Sequence, residues 1–277
     1  MKTYDEFATL TVERPCDGVL QIVLDGPNLH AVGPRMHQDL ADIWPAIARD
    51  ESVRAVLIRG AGERAYSAGG SFDLVEDMTG DYGSRTRVLR EARDLVRNLI
   101  ELPQPLVAAI NGPAAGAGLV TAMLADITVA GRKTKIVDGH VRLGVAAGDN
   151  AALTWPFFAG MPKAKYHLLL NEVLTGEEAE RIGMVSMCVD DDQVQEKALE
   201  IARRLAGGAA SAIQWTKHAM NNWYRQNWSI FDASLGYEFY GFGGPEVAEG
   251  VASLKEKRDP DFPAPVGGKL TPAEDAQ

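Results

Sequence analysis

Residues 105–118 read PLVAAINGPAAGAG, an apolar run followed at once by a loop made almost entirely of glycine, alanine and proline. The pattern predicts a buried strand over Pro105–Ile110, a tight turn, and an apolar helix ending near Leu124. A second loop of small residues, SAGGSFD at 67–73, also follows a predicted strand. Small residues let the backbone approach a ligand closely, and free N–H groups at such turns can bind an oxygen anion. Either loop could also be an ordinary turn between a strand and a helix.

The segments on both sides of these loops alternate between strand and helix patterns. Predicted strands are a hairpin of Thr9–Glu13 with Val19–Leu24, then Val53–Arg59, Asp126–Ala130 and Met184–Val189. Predicted helices cover residues 34–49, 84–101, 151–159, 163–170, 175–182, 190–206 and most of 209–258. Such alternation indicates an α/β fold with a mainly parallel sheet and helices stacked outside it. The helical last quarter has no strands to cover, so we expect subunit contacts to bury its aromatic residues, which are Trp215, Trp223, Trp228, Phe231, Tyr237 and Phe239.

Composition excludes several classes of protein. The 277 residues carry 28 basic and 38 acidic side chains, a net charge of −10, so the basic face that binds nucleic acid is not expected. The two cysteines, Cys16 and Cys188, and the lack of metal-ligand spacing argue against disulfides and against a metal site. Residues 102–125 are uncharged over the length of a membrane span, but three prolines and Asn111 interrupt them. We therefore expect a soluble, cytoplasmic protein without a nucleic-acid or membrane partner.

Four segments, taken in order, resemble the crotonase (enoyl-CoA hydratase/isomerase) superfamily. They are AYSAGGSFDL at 65–74, PLVAAINGPAAGAG at 105–118, LADITVAG at 124–131 and LTGEEAERIGMVSMCV at 174–189. The resemblance covers about residues 8–258. It implies a crotonase-type α/β spiral of ββα units holding the active site over residues 1–205. It also implies a helical trimerisation region over 206–258. Residues 259–277 are rich in proline, glycine and charge, and this composition predicts a flexible tail.

The same resemblance implies the chemistry. Substrates would be acyl-CoA thioesters, with coenzyme A as part of the substrate and no separate cofactor, and the assembly would be a homotrimer or a dimer of trimers. An oxyanion hole of two backbone N–H groups would hold the thioester oxygen, and by motif position these groups belong to Gly70 and Ala117. Donors fixed in place around a developing oxyanion are usually the largest single contribution to catalysis.

The sequence departs from the family at the positions of its two catalytic glutamates, which are Val120 and His140 here. Asp149 follows His140 by nine positions across a glycine-containing loop, and His37 lies on the inward face of the first long helix. A histidine oriented by a carboxylate is a standard base for activating water. These three residues resemble the active site of oxocamphor hydrolase, a crotonase-fold enzyme that splits cyclic β-diketones with water. We therefore predict His37, His140 and Asp149 as the catalytic residues.

Structural interpretations of the same residues remain open. A histidine on an apolar helix face is often a satisfied core residue, so His37 could be one. Asp149 precedes a predicted helix and could simply cap its N-terminus. Two further predictions concern the substrate. Lys255, Lys257 and Arg258 form a basic cluster that could meet CoA phosphates or could instead be a solvated helix end, and Tyr66, Phe72 and Trp155 are candidates for the acyl pocket.

The preferred hypothesis is an enzyme that adds water to an acyl-CoA thioester, by hydration or by hydrolysis. The first alternative is retro-Claisen hydrolysis of a cyclic β-diketone by the same histidines and aspartate, without CoA. A second alternative uses Asp149 as a covalent nucleophile, in the manner of a chlorobenzoyl-CoA dehalogenase. The third is a crotonase homologue that binds acyl-CoA without turning it over, which is what loss of both glutamates would predict.

Overall fold

The computed structural model describes residues 3–263, and its centre is a six-stranded sheet. In spatial order the strands are β1 (Leu10–Cys16), β2 (Val19–Leu24), β3 (Ala55–Gly60), β4 (Leu106–Ile110), β6 (Ile127–Gly131) and β9 (Met187–Val189). β1 pairs antiparallel with β2, and each later pair is parallel. The predicted hairpin and the mainly parallel α/β sheet are therefore confirmed.

Fourteen α-helices and one short 3-10 helix, Asp191–Gln193, occur in the part of the chain that the structure describes. The first seven are α1 (Pro27–His30), α2 (Pro34–Ala48), α3 (Phe72–Gly80), α4 (Tyr82–Glu101), α5 (Gly116–Met123), α6 (His140–Leu143) and α7 (Ala151–Ala159). The others are α8 (Met161–Leu170), α9 (Gly176–Arg181), α10 (Val194–Ala206), α11 (Ala210–Met220), α12 (Asn222–Gln226), α13 (Trp228–Gly241) and α14 (Glu246–Glu256). Thr175 and Glu178 form the reciprocal capping box at the start of α9 that their spacing predicts.

The strands separate two apolar cores because successive side chains point to opposite faces of a sheet. Val19, Leu57 and Val107 face α10 and form the smaller core. Their neighbours Leu20, Ile58 and Ala108 face the main core, where α2 and α4 pack. The near-continuous apolar runs of β2, β3 and β4 follow from this burial on both faces.

A second, three-stranded sheet supports the loops of small residues. It consists of β5 (Ala114–Ala115), β7 (Lys135–Val137) and β8 (Leu174–Thr175), in the order β5-β7-β8. Single bridges join Ser67 to Ala114 and Val32 to Gly70. The two loops that the sequence singles out are therefore held side by side.

The C-terminal helices contribute side chains to the main core as well as to the surface. Phe231 and Phe239 of α13 are buried within the same chain, so the prediction that subunit contacts bury them is wrong. Trp215, Trp223 and Tyr237 are at least 65% exposed, so for them an intersubunit role stays a prediction. The cavity described below is not confined to residues 1–205, since Glu238 and Phe239 of α13 contribute to its lining.

The strand predicted over Met184–Val189 is shorter, and α3 follows the first small-residue loop where no helix is predicted. Among residues 3–263, no helix combines the length and the apolar character needed to cross a membrane. The tail predicted over 259–277 lies outside the described residues from position 264 onward.

Gly250 sets the distance between α14 and α6, the helix that begins with His140. A Cβ at Gly250 would lie 2.1 Å from the carbonyl oxygen of Leu143. We expect Gly250→Ala to lower the free energy of unfolding by about 1–3 kcal/mol, because α14 must move away. Gly236→Ala is the matched control, since its Cβ would have no neighbour within 4 Å inside α13. That change should stabilise the protein by about 0.5–1 kcal/mol. Equal effects in urea unfolding would contradict this close approach.

Candidate active site

A cavity of about 260 Å³ lies between the two small-residue loops, α2, α3, α4, α6 and α13. Much of its wall is apolar and consists of Phe72, Leu74, Val75, Met78, Val88, Leu143, Phe239, Phe242 and Leu254. Its polar lining is concentrated in a few side chains, which are His37, Asp138, His140, Arg142, Asp149, Asn171 and Glu238. Ligand sites usually combine an apolar wall with a small number of convergent polar groups in this way.

Both predicted oxyanion-hole residues line this cavity. Ala117 lies in the first turn of α5, where backbone N–H groups have no partner within the helix. Among the described residues, no hydrogen-bond acceptor meets the N–H of Gly70 or of Ala117. The two loops approach closely, since a Cβ at Gly69 would lie 3.2 Å from the carbonyl oxygen of Ala115. Two free backbone donors therefore border one space, as an oxyanion hole requires.

His140 is the centre of a buried cluster of ionisable groups. Its Nδ1 lies 3.0 Å from Oδ2 of Asp138, the residue that follows β7. Its Nε2 lies 3.3 Å from Oδ2 of Asp149 and 3.5 Å from Oε1 of Glu238. All four side chains are buried and all four residues line the cavity. The structure thus brings His140 and Asp149 together as predicted by sequence and adds two carboxyl groups to them.

The pKa values of the clustered groups are shifted, and they do not all shift in the same direction. Burial alone would lower the pKa of His140, but the charges of Asp138, Glu238 and Asp149 raise that pKa well above its usual value. Burial alone would raise the pKa of Asp149, but the His140 cation holds that pKa below its usual value. Burial and the Asp149 charge raise the pKa of Glu238 to about 8. At neutral pH the cluster therefore contains an imidazolium, an ionised Asp149 and a protonated Glu238.

Asp149 is not a helix cap. The N-cap residue of α7 is Asn150, and its side chain makes no capping hydrogen bond; its Nδ2 instead donates to the carbonyl oxygen of Val120. The Asp149 carboxylate faces His140. Gly148 leaves room for the neighbouring acid, because a Cβ there would lie 2.3 Å from Oε2 of Glu238. The loop before α7 is therefore shaped around the cluster.

His37 lines the cavity but does not join this cluster. Its Nδ1 lies 2.8 Å from Oε2 of Glu91 on α4, and it makes no hydrogen bond to His140 or to Asp149. Glu91 also accepts a hydrogen bond from Arg87, at 2.7 Å. The three predicted catalytic residues therefore divide into a pair in contact and a third that is held elsewhere on the cavity wall.

Of the residues predicted for the acyl pocket, only Phe72 lines the cavity. Tyr66 is completely buried and its hydroxyl lies 2.6 Å from Oγ1 of Thr121. Trp155 is 1% exposed and packs in the main core. The expectation for these two residues is corrected, because aromatic side chains on the same chain segments serve core packing as readily as ligand contact.

The predicted CoA cluster is mostly paired with acidic side chains. Arg258 binds both carboxylate oxygens of Glu249, one at 2.9 Å. Lys255 forms an ion pair with Glu76, and its Nζ lies 5.3 Å from the ring centre of Phe72 at the cavity edge. Lys257 ends α14 in a left-handed conformation and is exposed. A role in binding CoA phosphates stays a prediction for these three residues, and paired Arg258 is the weakest candidate.

Sequence reasoning missed Glu238, although a signal was present. Glu238 follows Phe231 by seven positions and Leu235 by three, so it lies on the buried face of α13. A carboxyl on an apolar helix face is unusual unless it has a partner. The structure also places Asp138 on the Nδ1 side of His140.

His140, Asp149 and Glu238 also offer the atom types of a metal site, since one ligand atom from each lies within 4.8 Å of the others. A metal ligand must first lose its proton, however, and the raised pKa of His140 opposes that loss. The absence of a metal stays a prediction. The negative charges around His140 favour a proton on its imidazole ring.

Comparison with known proteins identifies relatives along nearly the whole chain. The family model described as enoyl-CoA hydratase/isomerase matches residues 15–265. The 1,2-epoxyphenylacetyl-CoA isomerase of Escherichia coli is 33% identical over 263 residues, which are 93% of this chain and 98% of that protein. The short-chain-enoyl-CoA hydratase of Clostridium acetobutylicum is 30% identical over 85% of this chain and 84% of its own length.

Solved structures agree with these sequence relationships. The crystal structure of an enoyl-CoA hydratase/isomerase from Mycobacterium paratuberculosis superposes with a TM-score of 0.84 at 29% identity, covering 89% of this chain and 98% of that one. This likeness confirms the crotonase-type α/β fold with C-terminal helices that the sequence predicts. The chain is thus an enzyme of the crotonase superfamily and belongs to the enoyl-CoA hydratase/isomerase family.

Proposed function

We propose that this enzyme hydrates a 2-enoyl-CoA thioester, with Asp149 as the general base and Glu238 as the general acid. One observation carries the proposal: the buried carboxyl groups of Asp149 and Glu238 contact the same imidazole nitrogen and line the same cavity as Gly70 and Ala117. The pKa of Asp149 is lowered by the His140 cation, whereas burial raises the pKa of Glu238 to about 8. Pairs of groups whose environments push their pKa values apart commonly divide the roles of acid and base. The missing glutamate pair is thereby replaced by carboxyls from two other segments.

The proposed reaction balances with these groups alone. Asp149 takes a proton from water while the water oxygen bonds to the β-carbon of the enoyl group. The π electrons move towards the α-carbon and the thioester carbonyl, whose oxygen accepts hydrogen bonds from the N–H groups of Gly70 and Ala117. Glu238 then gives its proton to the α-carbon, and the product is a 3-hydroxyacyl-CoA. One proton passing from Asp149 to Glu238 restores the starting state.

In this proposal His140 is a positioning cation. It contacts both carboxyl groups through Nε2, while Asp138 fixes its ring through Nδ1. The cation keeps Asp149 ionised in a buried site, where an unpaired carboxylate would be costly. When Glu238 loses its proton, its new negative charge raises the proton affinity of Asp149. The two proton transfers therefore assist each other.

The proposal is tested by incubating the protein with a panel of 2-enoyl-CoA and saturated acyl-CoA thioesters, together with cyclic β-diketones, and analysing the products by mass spectrometry. We expect an enoyl-CoA to gain the mass of one water without release of CoA. Release of free CoA would indicate a thioester hydrolase instead. Cleavage of a free diketone would favour the retro-Claisen alternative, and turnover of none of these compounds would favour the binding-only homologue.

A further inference from the structure

Outside the cluster of Asp138, His140, Asp149 and Glu238, the side chains of the cavity lining that are sealed from solvent are apolar with one exception. Phe72 and Leu254 are 40% and 36% exposed and mark the mouth, whereas Met78 and Val88 are nearly sealed from solvent. His37 lies among the sealed lining residues, with an exposure of 3%. A polar group in such surroundings is costly unless it has a hydrogen-bond partner.

One nitrogen of His37 has a partner and the other does not. Glu91 accepts a hydrogen bond from Nδ1, and Arg87 holds Glu91 in turn. Within residues 3–263, no hydrogen-bond partner meets Nε2 of His37, yet Nε2 is not among the polar side-chain atoms sealed from solvent. Since the residue is 3% exposed and lines the cavity, the cavity is the space that Nε2 faces.

This geometry determines which acyl groups the cavity can hold without leaving Nε2 of His37 unpaired. Glu91 fixes the ring, so His37 cannot easily turn its free nitrogen away from a ligand. A purely hydrocarbon acyl group would displace water from Nε2 and leave it unpaired. A site built to form a hydrogen bond rejects an analogue that lacks the partner, often by more than about tenfold.

We propose that His37 is a specificity-determining residue that hydrogen-bonds to an oxygen substituent on the acyl group, away from the thioester. The substrates are then hydroxy- or oxo-substituted 2-enoyl-CoA thioesters with a compact acyl group. Imidazole nitrogen can accept from a hydroxyl, or donate to a hydroxyl or a carbonyl when protonated. The inference rests on the proposed hydration, since it concerns the substrate of the same cavity.

The test compares three 2-enoyl-CoA thioesters of one carbon skeleton, with no distal substituent, a distal hydroxyl or a distal oxo group. For the wild type we expect kcat/KM on one oxygenated substrate to exceed that on the plain one by about tenfold or more. In His37→Leu the ratio should fall to near one, and His37→Gln should retain part of it. His218→Leu, an exposed histidine on α11, is the matched control and should keep the wild-type ratio. The hydroxyl and oxo arms identify which oxygen is recognised.

A wild-type ratio near one for both oxygenated substrates would overturn the inference, as would an equal ratio in His37→Leu and the wild type. Failure of the hydration proposal looks different, because none of the three thioesters would then gain the mass of one water without release of CoA. In that case dissociation constants of the same three thioesters, measured by calorimetry, decide the role of His37. Tighter binding of an oxygenated thioester by the wild type, lost in His37→Leu, would still support it, and equal affinities would overturn it.

Discussion

Asp149→Asn is expected to lower kcat for enoyl-CoA hydration on the order of 10³-fold, the range in which loss of a general base falls. The amide keeps the shape of the side chain but cannot take a proton from water. Affinity for the thioester should be largely retained, because Asp149 acts on the water and the N–H groups of Gly70 and Ala117 act on the thioester. Stopped-flow kinetics combined with calorimetric titration of a substrate measures both quantities.

The control for this variant is Asp192→Asn, which changes an exposed aspartate after the edge strand β9 and should leave both quantities unchanged. A decrease in kcat of less than about tenfold in Asp149→Asn would remove Asp149 from the role of base. Mass spectrometry of rapidly quenched wild-type enzyme covers the remaining alternative. A covalent acyl adduct on Asp149 would identify it as a nucleophile.

Glu238→Gln is expected to lower kcat by about 10²- to 10³-fold, since the side chain keeps its volume but loses the proton for the α-carbon. Hydrogen–deuterium exchange at that carbon, followed in heavy water, should slow in parallel with hydration. Glu172→Gln changes an exposed glutamate after α8 and should behave as the wild type. Slow hydration with unchanged exchange would show that the proton comes from another group.

Gly148 offers an independent way to displace the same acid. In Gly148→Ala the added methyl would lie 2.3 Å from Oε2 and 2.5 Å from Cβ of Glu238, and 2.7 Å from the carbonyl oxygen of Ser234. The loop and α13 must therefore move apart, which changes the position of the Glu238 carboxyl relative to His140. The effect of this change on hydration should therefore approach that of Glu238→Gln and add little to it in the double variant.

The parts of the structure that depend on local pattern are predictable from sequence. Strands β2, β3 and β4 are predictable from their apolar runs, and α2 is predictable from the helical spacing of its apolar residues. Burial requires these patterns. The small-residue loops could be assigned through the resemblance to the crotonase superfamily. The predicted pair His140 and Asp149 also meets, since both residues lie in one short segment that folds back on itself.

The remainder depends on contacts between distant segments. Glu238 reaches His140 from α13, and no spacing near His140 indicates this. The ionised state of Asp149 and the protonated state of Glu238 exist only once burial and mutual charge act together. For His37 only part of the arrangement is predictable. The spacing of apolar residues on its helix predicts that it points inward, but its partner Glu91 lies on another helix and cannot be predicted from that spacing.

The pH dependence of kcat/KM for the wild-type enzyme tests the central assignment most directly. Glu238 must be protonated to act as the acid, and its pKa is about 8, so kcat/KM should fall above about pH 8, by about tenfold per pH unit. The pKa of Asp149 lies below its usual value, so kcat/KM should show no loss between pH 7 and pH 5 from protonation of that base. A rate that instead rises with pH to a plateau above neutrality would identify a neutral histidine as the base and contradict the assignment of Asp149 and Glu238.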